Sequence, residues 1–148
     1  MNATIEKAQI HELAYAIELV RELAEFEKEP HAVLATLKQY RQAYESGKIL
    51  IEFAKVETQI VGMILMYETF STWKGPMLYL EDFYVKPEFR GKGIGKALFE
   101  KYIELGKKGG FVKLKWQVLD WNQEAIDFYE NFGATIEKGW WNGVMDLK

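Results

Sequence analysis

Tyr84-Val85-Lys86-Pro87-Glu88-Phe89-Arg90-Gly91-Lys92-Gly93-Ile94-Gly95-Lys96-Ala97 is the stretch from which the fold of this 148-residue sequence is read. An apolar extended run stops before Pro87, and alternate glycines follow at 91, 93 and 95. Apolar residues then recur at helical spacing through Ile94, Ala97, Leu98, Tyr102 and Leu105. A strand, a glycine-rich turn and a helix are predicted in that order. Where such a turn opens a helix, backbone N–H groups and the positive end of the helix dipole converge on an anion placed there. Glycine suits the position because a Cβ would hold a bulky anion off the backbone, and because the turn can demand positive φ. Arg90, Lys92 and Lys96 add charge beside it. The competing reading is a connection with no ligand, since turns of this composition are common.

Spacing decides which phosphate ligand fits. A P-loop needs four residues between its glycines and then Lys-Ser/Thr. Here Gly91 and Gly95 enclose three, and Ala97 stands where the magnesium-binding hydroxyl belongs. A dinucleotide fold needs Gly-x-Gly-x-x-Gly in its first strand-helix unit and an acid about 20 residues on. Gly95 comes one residue early for that pattern, and the next strand holds Lys113, Lys115 and Trp116.

Upstream, residues 11–27 place Leu13, Ala16, Ile17, Val20, Leu23 and Ala24 on one helical face, closed by Pro30, and a polar helix is predicted over 33–46. The period then turns extended. Residues 49–54 and 60–67 read as a hairpin through Glu57-Thr58-Gln59, and a third strand runs from Met77 to Val85. Downstream come a strand over 111–119, a short helix over 122–131 and two final short strands around the Gly139–Gly143 turn. The order α, α, β, β, β, α, β, α, β, β predicts one α+β domain spanning 1–148, a mixed sheet with helices on its faces.

Composition narrows the chemistry. The chain has no cysteine, two histidines (His11, His31) and two serines (Ser46, Ser71). Disulfide scaffolds, cysteine zinc sites and thiol nucleophiles are excluded, and a Ser-His-Asp arrangement has hardly any material; no metal site is expected. A net charge of −3 argues against a broad nucleic-acid footprint. No stretch of 18 apolar residues and no signal peptide is recognised, so a cytoplasmic protein is expected, with neither membrane nor nucleic acid as partner.

Arg90-Gly91-Lys92-Gly93-Ile94-Gly95 resembles the Arg/Gln-x-x-Gly-x-Gly/Ala pyrophosphate loop of the GCN5-related N-acetyltransferases (GNAT superfamily). Residues 120–134, with Asn122, Ala125, Phe128, Tyr129 and Gly133, resemble that family's second motif, Asn-x-x-Ala-x-x-Phe-Tyr-x-x-x-Gly-Phe/Ala. Residues 78–85 and 22–27 look like the diamine (spermidine/spermine) N-acetyltransferase branch, and the likeness runs over about 5–147. It implies the GNAT fold, a mixed, mostly antiparallel sheet with helices on both faces. It also implies acetyl-CoA as cosubstrate and a homodimer.

Acetyl transfer from a thioester to an amine needs a deprotonated amine, a held carbonyl and a proton for the departing thiolate, but no covalent enzyme intermediate. That suits a chain without cysteine. The resemblance implies Glu81 as general base, directly or through water, and Tyr129 as proton donor to the thiolate. For Tyr129 the alternative is packing beside Phe128 and Phe132; for Glu81 and Asp82 it is that one of the pair is an N–H-bonded or salt-bridged carboxylate at a strand bend. It assigns coenzyme contacts to Phe83, Tyr84 and Val85, whose backbone would pair with the pantetheine arm, to Arg90, Gly91, Lys92, Gly93, Ile94, Gly95 and Lys96, and to Asn122, Glu124, Ala125 and Tyr129. Strict strand alternation puts Glu81 and Asp82 on opposite faces, so that both cannot line one cleft.

For the acceptor, Glu22, Glu25, Glu27 and Glu29 cluster at the end of the first helix and with Glu81 would form an anionic channel for a cationic amine; a solvated helix end is the plainer reading. The resemblance places Glu27, with Glu81 and Asp82, at the acceptor. Two departures matter. Phe70-Ser71-Thr72-Trp73 lacks the acid that the diamine branch carries before its tryptophan, and Phe132 stands where a basic residue is expected. Lysine-like amino acids such as thialysine therefore compete with polyamines as acceptor. A non-catalytic coenzyme- or nucleotide-binding regulatory domain is the alternative to an enzyme.

Overall fold

The apolar runs between residues 50 and 85 build the middle of a sheet. The computed structural model describes residues 2–148. Strand β1 (Thr4–Lys7) is followed by helices α1 (Leu13–Phe26) and α2 (Leu37–Glu45), then by strands β2 (Leu50–Val56), β3 (Gln59–Ser71) and β4 (Gly75–Val85). Helix α3 (Ile94–Lys108), strand β5 (Lys113–Trp116) and helix α4 (Gln123–Asn131) complete the order. The sheet runs β1-β2-β3-β4-β5; its first three pairings are antiparallel and β4–β5 is parallel. This is the mixed, mostly antiparallel sheet expected.

Alternation sorts the strand side chains onto two faces. On one, Ile51, Phe53, Met63, Leu65 and Tyr84 pack with Leu13, Ala16 and Leu19 of α1, and Tyr40 and Tyr44 of α2 close over them. On the other lies α3. Its Tyr102 is buried and donates to the Leu78 carbonyl at 2.6 Å and to that of Lys115 at 3.2 Å, so one phenol ties β4 to β5. Phe99 meets Trp116 edge-on at 5.3 Å. Gly62 admits α3 to the sheet: a Cβ there would stand 2.8 Å from the Tyr84 carbonyl oxygen and 3.2 Å from Leu98.

Several boundaries differ from the sequence reading. β1 was not foreseen; among its four residues only Ile5 is apolar, and its pairing with β2 alone makes it a strand. α2 begins later than residue 33, after Thr36, whose Oγ1 accepts from the Gln39 N–H while the Gln39 side chain accepts from the Thr36 N–H. α1 ends four residues before Pro30, through Lys28 in a left-handed conformation (φ 66°) and a Glu29 N–H donated to the Ala24 carbonyl. β5 covers only four of the nine residues expected, because β4 pairs with it only from Met77 to Leu80.

The chain divides into two compact units, the first ending at Gln117 and the second Val118–Lys148. In the second, Asn122 caps α4, its Oδ1 accepting from the Ala125 N–H at 3.2 Å, and Gly133 follows the helix at φ 88°. The two short strands expected around Gly139–Gly143 do not form. Residues 134–148 have no strand, since no ladder partner supplies the hydrogen bonds that define one, and Trp140, Trp141, Val144, Met145 and Leu147 are exposed.

Candidate active site

The glycine-rich turn forms where the sequence places it. Gly91 (φ 75°) and Gly93 (φ 83°) are both left-handed, and a Cβ on either would project into open space, the approach that an anion needs. Gly93 stands at the start of α3 with no side-chain cap, and no acid lies in the helix's first turn. The N–H donors there are unopposed, and Lys92 and Lys96 are exposed and outside the ion pairs of the described residues. Gly95 differs. Its φ is ordinary, and a Cβ would meet Phe83 at 3.7 Å and Val85 at 3.9 Å, normal contact distances. Two of the three glycines are conformationally required, not three.

Arg90 closes the turn. Its Nε donates to the Val85 carbonyl at 2.8 Å, and its guanidinium lies over the rings of Tyr84 (5.2 Å) and Phe26 (5.5 Å), leaving the terminal nitrogens for an anion. Tyr84 is held in turn by Glu22, which accepts from its hydroxyl at 3.1 Å and from Lys86 Nζ at 2.7 Å. Burial, then the Glu22 charge and hydrogen bond, push the Tyr84 phenol up to about 12. Glu22 is thus engaged in bracing β4, not in an anionic channel, and Glu25 and Glu29 are exposed. Beyond Leu80, β4 stays paired with β3 on one edge, through Phe83, Tyr84 and Val85, while its ladder with β5 on the other edge covers only Met77 to Leu80.

The acids lie on β4, where the ladder is irregular. Tyr67 pairs with Tyr79 and Met66 with Leu80, but Leu65 pairs with Asp82, so Glu81 is the extra residue of a β-bulge. Leu65 and Tyr67 share the face covered by α1 and α2; their partners Asp82 and Tyr79 therefore share it too, although three residues apart. Glu81 points the same way, for its Oε1 accepts from the Tyr67 hydroxyl at 2.8 Å. The expectation that Glu81 and Asp82 face opposite sides is overturned, because one inserted residue cancels the alternation on which it rested.

Glu27, just beyond the last residue of α1, joins them. Its carboxyl is pushed up by burial and then by the Glu81 charge. Asp82 is pushed up to about 7 by burial, then by Glu81 and Glu27. Tyr40 is raised to about 12 by burial and then by the charges of Asp82 and Glu81. No cation pairs with Glu27, Glu81 or Asp82 among the described residues. Three carboxyl groups that repel one another, beside phenols, form a cluster whose field a cation would relieve. Tyr40 and Tyr67 were missed from sequence. The Ser71–Gly75 hairpin carries the register that sets Tyr67 opposite Tyr79, but the bulge that brings Glu81 to it has no signature.

In the second unit, Asn122 and Tyr129 lie at the start and near the end of α4, and Glu124 and Ala125 in its first turn. Tyr129 is buried with its ring edge-on to Phe128 at 5.6 Å, and Phe128 meets Phe132 at 5.2 Å. The packing foreseen beside Phe128 is present. Among the described residues no group of three or more metal-ligating side chains occurs, and no helix is long and apolar enough to cross a membrane.

Residues 12–134 match the model of the acetyltransferase (GNAT) family. Thialysine N-epsilon-acetyltransferase of Caenorhabditis elegans is 38% identical over 133 residues, covering 88% of this chain and 83% of its own length. The enzyme of that name from Bos taurus is 38% identical over 149 residues, covering 92% and 88%. Among solved structures, an aminoglycoside acetyltransferase from an uncultured soil metagenomic sample superposes with a TM-score of 0.83 over 99% of this chain and 97% of its own, at 22% identity.

Proposed function

The chain belongs to the acetyltransferase (GNAT) family, and from that premise we propose a specific reaction for it: transfer of the acetyl group of acetyl-CoA to a primary amine of a small cationic acceptor, with thialysine-like amino acids as first choice and di- and polyamines second. That it is an acetyl-CoA-dependent amine N-acetyltransferase follows from the family and its relatives. The observation that carries the acceptor class is the set of three uncompensated carboxyl groups, Glu27, Glu81 and Asp82, on one face of the sheet. The missing acid at Phe70-Ser71-Thr72-Trp73 is what sets polyamines second.

The turn Arg90-Gly91-Lys92-Gly93-Ile94-Gly95-Lys96 binds the coenzyme's pyrophosphate through backbone N–H groups, and the Phe83–Val85 edge pairs with its pantetheine amides as an added strand would. Asn122, Glu124 and Ala125 at the start of α4 supply further coenzyme contacts. Glu81 takes a proton from the acceptor ammonium, directly or through one water. The free amine attacks the thioester carbonyl carbon, the C–N bond forms and the C–S bond breaks. Tyr129 gives the thiolate its proton and is reprotonated as the acylated nitrogen sheds its second proton to form the amide, while Glu81 returns its proton to solvent. No covalent enzyme intermediate is needed, so both substrates are bound together. We read the two compact units as one acetyltransferase domain, since the family match runs through both, and the working form as a cytoplasmic homodimer. The regulatory alternative finds no support among these relatives.

The test is release of free thiol from acetyl-CoA with thialysine, lysine, spermidine, putrescine and a peptide with a free N-terminus. Thialysine is expected to give the highest kcat/KM, and Glu81→Gln to lower kcat at least tenfold with the acetyl-CoA KM little changed. Turnover confined to the peptide would refute the acceptor class; unaltered kcat in Glu81→Gln would refute the base.

A further inference from the structure

Glu81 occupies an unusual position for a group that must meet a reacting amine. It is the inserted residue of the β4 bulge, so its backbone has no partner in the β3 ladder, and its side chain has three rotatable bonds ending in an exposed carboxyl group. Its neighbour Asp82 and the nearby Glu27 repel it. Left to these forces, the carboxylate would swing toward solvent, away from the other two acids.

One contact opposes this. Tyr67 donates its hydroxyl to Glu81 Oε1 at 2.8 Å. Tyr67 is itself fixed from two sides: its backbone lies in the middle of β3, paired with Tyr79, and its ring stacks on that of Tyr79 at 5.2 Å with 25° between the planes. Tyr79 precedes Glu81 by two residues on β4, so the phenol is anchored to the strand whose bulge it spans. Burial, then the hydrogen bond to Glu81, raise the Tyr67 phenol above its ordinary value, so it stays protonated and remains a donor.

We propose that Tyr67 is a positioning residue for the acetyl transfer: its hydroxyl holds Glu81 at the bulge in one orientation, occupying Oε1 so that Oε2 is presented to the acceptor amine or its bridging water. The inference rests on the assignment of Glu81 as base and adds what sets that base in place. Tyr67 transfers no proton and need not touch either substrate. Its geometric contribution is to keep one carboxylate oxygen at a fixed place despite repulsion from Asp82 and Glu27, because a general base must lie within hydrogen-bond reach of the proton it removes.

The test uses the full chain, acetyl-CoA, and whichever of thialysine and spermidine gives the higher kcat/KM. Tyr67→Phe keeps the ring and its stacking on Tyr79 and removes only the hydroxyl. Four proteins are compared: the parent, Tyr67→Phe, Glu81→Gln and the double variant, at a temperature below the lowest of their melting midpoints, so that loss of fold cannot imitate the effect. Loss of a hydrogen bond to a charged group predicts a kcat about tenfold lower in Tyr67→Phe, with the acetyl-CoA KM within about twofold of the parent. In the Glu81→Gln background the same change should cost less than about twofold, since there is no base left to orient. A Tyr67→Phe enzyme with parental kcat overturns the inference while leaving the base assignment standing. So does an equal loss in both backgrounds, which would make Tyr67 merely structural. If Glu81→Gln itself keeps parental kcat, the base assignment fails and this inference with it.

Discussion

Asp82 is the residue at which local environment departs furthest from sequence expectation. Burial and the carboxylates of Glu81 and Glu27 raise it to about 7, far above a free aspartate. The sign follows: a carboxyl group whose value is raised on folding contributes stability that is complete below its unfolded value near 4 and is lost as pH climbs through 7. Asp82→Asn, which cannot ionise, should therefore melt higher than the parent at pH 8, by about 2 kcal/mol once partial solvation is allowed for, and the gap should close below pH 5. Thermal melts at the two pH values check this; a gap of equal size at both would mean that charge is not its cause. Sequence inspection found this aspartate but placed it on the wrong face, because alternation holds only where the ladder is unbroken.

Among the elements, the turn between β4 and α3 was most fully legible. Alternate glycines between an apolar run and a helical period need no tertiary information to be recognised, and Gly91 and Gly93 take the left-handed backbone that only glycine adopts freely. Space and φ nevertheless separate them from Gly95. Gly93→Val should raise the acetyl-CoA KM at least tenfold with a much smaller change in the acceptor KM, while Gly95→Ala should leave both within about twofold, its Cβ meeting only ordinary contacts with Phe83 and Val85. Steady-state kinetics with each substrate varied in turn decide it, and an unchanged coenzyme KM in Gly93→Val would remove the phosphate-loop assignment. β1 and the β4 bulge were illegible for one reason: a strand with a single apolar residue and an inserted residue are both defined by what lies across the ladder.

For the molecule as a whole, a net charge of −3 conceals an organised field. Among the described residues, Lys92 and Lys96 enter no ion pair beside the glycine-rich turn, and Glu27, Glu81 and Asp82 pair with no cation. On the proposed function, an anionic cosubstrate and a cationic acceptor would each be drawn to their own region, over distances comparable with the Debye length of about 8 Å at physiological salt. Raising salt from about 0.05 to 0.5 M should increase both KM values severalfold. The Lys92→Ala/Lys96→Ala double variant should flatten the coenzyme's salt dependence and leave the acceptor's unchanged. Equal flattening of both would show that net charge, not its arrangement, governs association.

The sequence by itself determined the order of the major elements, the glycine-rich helix start and the family, because these rest on local periods and on residues within a few positions of one another. It also limited the chemistry: without cysteine there is no thiol nucleophile, and serine and histidine are scarce. Only the tertiary structure decided that Glu22 braces Tyr84 and Lys86, that Glu81 and Asp82 share a face with Glu27 and Tyr40, and that Tyr67 reaches Glu81. Each of these is a contact between residues far apart in the chain, fixed by strand register, and one inserted residue in that register reverses every facing inferred beyond it.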